Sequence, residues 1–303
     1  MREITFLFFL LNAFCIYADS SNPVTDLLWR TYHISVKGDY LFASSTTGLT
    51  VYRLKDNKPV QVSYLVVENS GTSSVVDGNN LYLFAGGTGV YRVNIITPEK
   101  IVLGENVRIE GSAINGDIYR DNLYVSLGSG GFAVLNKNNM KVIKKAETPS
   151  YCSFVKVKDS SLFVSTESDG VFVYNAENLK LIYKIPLQKR VRDIAFSGEM
   201  LLFANDTNGI VVFKKEQGKY AFLRSYNTPD TVRGVTSYGD YIFVAGGNTG
   251  VIVFKYEGDN FIHIKNLSTG YSANKVIIVD KNLIVSNDAA GIMVIAIDDL
   301  IRK

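Results

Sequence analysis

The sequence predicts an all-β fold, a seven-bladed β-propeller of four-stranded antiparallel blades closed by an N-terminal strand that completes the last blade. Three observations predict it. A unit of about forty residues recurs seven times, and a regular period of this length marks a stacked or radial repeat fold. Its short apolar strand begins at Leu41, Leu81, Leu123, Leu162, Leu201, Ile242 and Leu283, at spacings of 40, 42, 39, 39, 41 and 41 residues. Each is followed by a glycine that leads a second apolar run: Gly48, Gly89, Gly131, Gly170, Gly209, Gly250 and Gly291. These runs are short and rich in Val, Ile, Phe and Tyr, a composition that suits strands better than helices of equal hydrophobicity.

The order of elements is clearest in the sixth copy. Gly234-Val235-Thr236-Ser237 reads as a first strand, Gly239-Asp240 as a tight turn and Tyr241 to Ala245 as a second strand. A polar loop, Gly246-Gly247-Asn248-Thr249, leads to a third strand from Gly250 to Tyr256. After the turn at Gly258-Asp259-Asn260, Phe261 to Leu267 has the mixed polarity of a half-exposed edge. Four antiparallel strands repeated radially describe a propeller blade.

The seventh copy stops after its third strand, whereas Asn22 to Trp29 resembles the fourth strand of the first copy, Asn57 to Tyr64. The segment 22–29 is therefore expected to complete the last blade, a closure that removes two open sheet edges. Ahead of it, Ile4 to Phe14 is an apolar run too short to span a membrane, ending at Cys15-Ile16-Tyr17-Ala18 before polar Asp19. This reads as a secretory signal over residues 1–18, leaving a single propeller domain over 19–303 with no transmembrane span and an extracytoplasmic address.

Composition narrows the function classes. The net charge is +3 and the basic residues are scattered, so nucleic acid is not an expected partner. With the signal removed, Cys152 is the one cysteine, so a monomer must be held by apolar packing rather than by an internal disulfide. The 35 Tyr and Phe residues fall mostly on strand positions and are expected between blades.

Across residues 22–299 the pattern resembles the LVIVD repeat family of extracytoplasmic propellers. The match lies in Gly170-Val171-Phe172-Val173-Tyr174-Asn175, Gly209-Ile210-Val211-Val212-Phe213, Gly250-Val251-Ile252-Val253-Phe254 and Gly291-Ile292-Met293-Val294-Ile295. The aspartate that closes the family's motif is replaced by Arg53, Asn136, Asn175, Lys214, Lys255 and Ala296, which makes the chain similar to a divergent member. The resemblance implies the fold and a surface or periplasmic location, with no general activity attached.

Function is expected where the loops surround one mouth of the central channel. There the connections into the inner strands place Tyr151, Arg192, Arg233 and Asn274, and the other loops offer Glu167, Asp169, Asp206 and Asp288. Both charge signs converge near one axis, as a pocket for a small anion, a sugar or a partner segment requires. The oxygen-rich loops around Asp169, Asp206 and Asp288 match no calcium-loop spacing, and two histidines with one cysteine build no zinc site, so no metal or cofactor is expected. His33 and His263 lie far apart in blade order, which disfavours a nucleophile activated by a base. The leading expectation is a non-catalytic scaffold that binds a protein partner or a small polar ligand at the channel face. Two alternatives stand beside it: an envelope-polymer hydrolase or lyase using channel carboxylates, and a structural subunit of an envelope assembly. Asn205-Asp206-Thr207 and Asn266-Leu267-Ser268 also match the N-glycosylation pattern.

Overall fold

The structure, a computed structural model, describes residues 30–258 and 260–302. The expected signal peptide and the expected closing strand at 22–29 lie outside the described residues. Within them the chain is a seven-bladed propeller: six four-stranded antiparallel sheets and a seventh of three strands, Lys275–Val279, Asn282–Ser286 and Ile292–Ala296. Each blade is an up-and-down meander from the channel outward. The sixth blade has the four strands read from its sequence, Gly234–Tyr238, Tyr241–Ala245, Val251–Glu257 and Asn260–Leu267.

A propeller strand's hydrophobicity follows from its radius. Second strands are covered by a neighbouring blade on both faces, so they are apolar throughout rather than alternating. In Asn80–Phe84, Leu81, Tyr82, Leu83 and Phe84 are all buried. The outer strand Val142–Ala146, at the rim, is exposed over its first four residues. The glycine leading each third strand serves this packing. Gly209 has φ 73°, and a Cβ there would stand 2.0 Å from the carbonyl oxygen of Tyr226 on the outer strand.

The core is divided into clusters, each across one blade interface. Phe154 and Phe163 of blade four meet Ile194, Phe203 and Phe213 of blade five, and the Phe163 and Phe196 rings meet edge-on at 5.4 Å between centroids. The ring closes in the same way. Ile34, Leu41 and Ala43 of blade one pack on Ile284 and Ile292 of blade seven, and Thr31 N–H donates to the Asp288 carbonyl at 3.0 Å. One element was not anticipated from sequence, a short helix at Ile297–Ile301 after the last strand. Its Ile297 and Leu300 are buried in the cluster shared by blades six and seven, which seals the end of that core.

Candidate ligand site at the channel mouth

The innermost strand of every blade is a sheet edge, so a row of its backbone N–H groups faces the channel and needs acceptors. Side chains of the preceding blade supply them. Asn115 Oδ1 accepts from Val155 N–H at 3.0 Å, and Asp117 Oδ2 from Val157 N–H at 2.8 Å. Asp193 Oδ2 accepts from Val235 N–H at 3.1 Å, and His33 Nδ1 from Ser74 N–H at a longer 3.4 Å. Much of the channel's polarity is thus blade-to-blade stitching.

The strand registers show which residues are equivalent. His33, Ser73, Asn115, Phe154, Asp193, Gly234 and Lys275 each pair with the last or next-to-last residue of their second strand. At this level the channel opens into a cavity of about 380 Å³ to which every blade contributes, among them His33, Ser73, Asn115, Phe154, Arg192, Arg233 and Lys275. The two halves of the mouth differ. Blades one to four present Tyr32, His33, Thr72, Ile114 and Phe154, whereas blades five to seven present Arg190, Arg192, Arg233, Asn274 and Lys275.

Each basic group is held in its own way. Arg192 donates to Asp206 Oδ2 through Nε at 3.0 Å and Nη2 at 2.9 Å. Lys275 Nζ lies 2.6 Å from Asp193 Oδ2, a carboxylate that is 2% exposed. Arg233 Nη1 donates to Asn274 Oδ1 at 2.6 Å, and Asn274 Nδ2 donates to the Thr31 carbonyl at 2.9 Å, a relay across the seam between blades seven and one. Arg190 lies over the Tyr151 ring, 5.6 Å from its centroid. The Nε atoms of Arg190 and Arg233 are buried with no hydrogen-bond partner among the described residues. The mouth therefore has four fixed cations but two carboxylates paired with them, Asp206 with Arg192 and Asp193 with Lys275. The His33 imidazole is held well below its usual pKa by burial first, and then by the neighbouring charges of Lys275 and Lys156.

The structure brings together Arg192, Arg233 and Asn274 of the residues singled out in the sequence, with Asp206 paired behind Arg192 and Tyr151 under Arg190. Glu167 lies beside them, lining an open recess with Arg190 and Asp206, where its N–H donates to the Tyr151 carbonyl at 2.9 Å. Asp169 and Asp288 are not among the residues lining the mouth. Asp169 is bonded to Ser168, and hydrogen bonds with Ser150 and Ser168 lower its pKa. Asp288 lies 3.8 Å from Arg30. Backbone geometry gives Asp206 and Asp288 a further role. They occupy the left-handed region at φ 52° and 44°, and glycine fills the matching loop position at Gly86, Gly128 and Gly247. Aspartate tolerates this conformation better than most residues.

Arg190, Asp193 and Lys275 were missed in the sequence. Asp193 and Lys275 share the repeat phase of His33, a signal present in the spacings, whereas Arg190 lies in a connection without a fixed phase. One glycosylation match is excluded as an acceptor, since Asn205 is fully buried and its amide donates to the carbonyls of Lys189 and Arg190. Asn266 is exposed.

No family model and no curated protein matches the chain, so the LVIVD resemblance rests on the repeat residues alone. Among solved structures the chain is similar to the hydrazine synthase of Kuenenia stuttgartiensis, with a TM-score of 0.73 and 15% identity over 92% of this chain and 99% of that one. It is also similar to the computationally designed Ika8 protein, with a TM-score of 0.68 and 9% identity over 89% of this chain and 97% of that one. At these identities the likeness concerns the fold alone.

Proposed function

We propose that this chain is an exported, LVIVD-like propeller that binds a ligand or a partner segment at the channel mouth without transforming it. The observation that carries the binding reading is the convergence of all seven blades on one cavity of about 380 Å³ with charged groups fixed at its wall. Concave sites with a few convergent polar groups are where ligands bind. Absence of chemistry is supported by how the nearby carboxylates are used. Asp206 is tied to Arg192, and Asp193 to Lys275 and a backbone N–H, so neither is a free proton acceptor. Export is supported by the apolar leader and the Ala18-Asp19 junction; mass spectrometry of the mature protein from its source should find Asp19 at the N-terminus.

The binding reading is tested by affinity capture from the native envelope or medium, comparing the mature protein with Ile114→Trp, which adds bulk to the half-buried wall of the mouth. A partner or ligand retained by the parent and lost by the variant, at matched melting temperature, supports the mouth. Retention by Ile114→Trp together with loss in Phe222→Ser, on an exposed outer strand, would overturn it in favour of a structural subunit that docks by its rim.

A further inference from the structure

The charge balance of the mouth makes the ligand class more specific, an assignment that rests on the binding reading above. We infer that the channel mouth is built for a phosphoryl-type dianion, a tetrahedral oxyanion carrying two charges, held between Arg190 of blade five and Arg233 of blade six.

Three observations support this. Of the four cations at the mouth, Arg192 and Lys275 have carboxylate partners, whereas Arg190 and Arg233 have none among the described residues, leaving two positive charges to be matched. Both arginines are nevertheless held in place, Arg190 by the Tyr151 ring and Arg233 by Asn274, so their forks are positioned without being neutralised. Neither Nε–H has an acceptor among the described residues, so no protein oxygen draws on either guanidinium at that atom.

Charge and oxygen count favour a phosphoryl group over a carboxylate. A carboxylate brings one charge and one planar edge, which suits one guanidinium. A phosphoryl dianion brings two charges and three oxygens, so it can accept from arginines on two adjacent blades at once. The opposite wall carries no fixed charge at Tyr32, Thr72, Ile114 and Phe154. An uncharged organic group attached to the phosphoryl would rest there, which points to a phosphomonoester rather than a free ion.

The test is calorimetric titration of the mature protein at fixed ionic strength with inorganic phosphate, sulfate, glucose 6-phosphate, glucose and succinate. Glucose 6-phosphate should bind more tightly than inorganic phosphate, while glucose should not bind. Sulfate matching phosphate would assign the site to tetrahedral dianions in general, whereas preference for phosphate would single out the phosphoryl group. Arg190→Gln and Arg233→Gln should each weaken phosphate binding roughly tenfold or more. Arg233→Lys, which keeps the charge and loses the fork, should fall between. Arg108→Gln, at an exposed pair with Glu68, should bind like the parent. Should Arg233→Gln fail to fold, Arg190→Gln still decides the matter, since Arg190 packs on the Tyr151 ring and its side chain makes no ion pair among the described residues. Absence of phosphate binding, binding unchanged in both arginine variants, or succinate binding as tightly as phosphate would each overturn the assignment. Capture of a partner that Ile114→Trp abolishes and both arginine variants leave intact would overturn the dianion and leave the binding reading standing. Capture insensitive to all three would overturn both.

Discussion

Lys275 of blade seven places Nζ 2.6 Å from Oδ2 of Asp193 in blade five, reaching across the inner strand of blade six. Gly234 is the residue it passes. A Cβ there would stand 3.1 Å from Lys275 Cα and 3.2 Å from the Asn274 carbonyl oxygen, so the absence of a side chain lets blade seven come close. Asp193 is 2% exposed and Lys275 16%, so removing one partner strands the other in a desolvated place. Asp193→Ala is expected to cost about 3–5 kcal/mol, and Asp193→Leu with Lys275→Met to recover part of that, because an apolar pair replaces the buried ionic one while the Val235 N–H still loses its acceptor. Gly234→Val should cost about 1–3 kcal/mol by overpacking. Urea denaturation of these three variants and of the Asp193→Leu and Lys275→Met singles measures all of this, and additive effects of the two singles in the double would show that the pair is not coupled.

His33 makes stability depend on pH. Its folded pKa is depressed, chiefly by burial and further by Lys275 and Lys156, so the unfolded chain takes up a proton first as pH falls. The contribution is complete above the unfolded value of about 6.5 and is lost as pH drops through the lower folded one. Asp117, salt-bridged to Lys156 at 3.2 Å, and Asp193, paired with Lys275, are the carboxylates beside those lysines. The melting temperature of His33→Gln should change less between pH 7 and pH 5 than that of the parent; equal slopes would assign the acid sensitivity to other groups.

Cys152 is fully buried and its thiol is pushed up to about 12 by desolvation. The thiolate is the reactive form, so alkylation by iodoacetamide at pH 8 should be slow in native protein and rapid in urea. Between the unfolded value of about 8.5 and the folded value of about 12, rising pH should withdraw stability, because the unfolded chain ionises first. Fast stoichiometric labelling of native protein would contradict the burial.

Ring closure gives a fourth prediction. In six blades the leading glycine of the third strand lies against a carbonyl of the fourth, as Gly250 does against Leu267, whereas Gly291 meets only Tyr52 Oη, at 3.8 Å, among the described residues. If residues 22–29 supply the missing strand, deleting 19–29 should remove about 3 kcal/mol or more and lower the melting temperature by roughly 6–12 °C. An unchanged melting temperature would sink that assignment.

The blades were legible because period and punctuation are local: a strand, a turn and a glycine-led strand follow one another within each copy. The mouth was legible only in part. Arg192, Arg233 and Asn274 stand just before an inner strand, where position alone aims them at the axis. The Lys275–Asp193 contact joins residues 82 apart and depends on Gly234 between them, so no single repeat displays it. Asp206 and Asp288 are ambiguous in the sequence for another reason, since their left-handed backbone shares a turn position with Gly86, Gly128 and Gly247, so turn geometry favours aspartate there as well as chemistry. The helix at Ile297–Ile301 was missed because five residues carry too little periodicity to separate a helix from a strand end.

The central claim, that the channel mouth is where this propeller binds, is tested most directly by the imidazole resonances of its two histidines during titration with glucose 6-phosphate. His33 lines the mouth, whereas His263 is exposed on an outer strand and bonded to Asn266 at 2.7 Å, so it reports bulk effects alone. The account predicts a saturable shift of the His33 signals and a raised His33 pKa as negative charge enters the mouth that it lines, with His263 unmoved. Shifts of equal size at both histidines, or none at His33 when binding is complete, would contradict it.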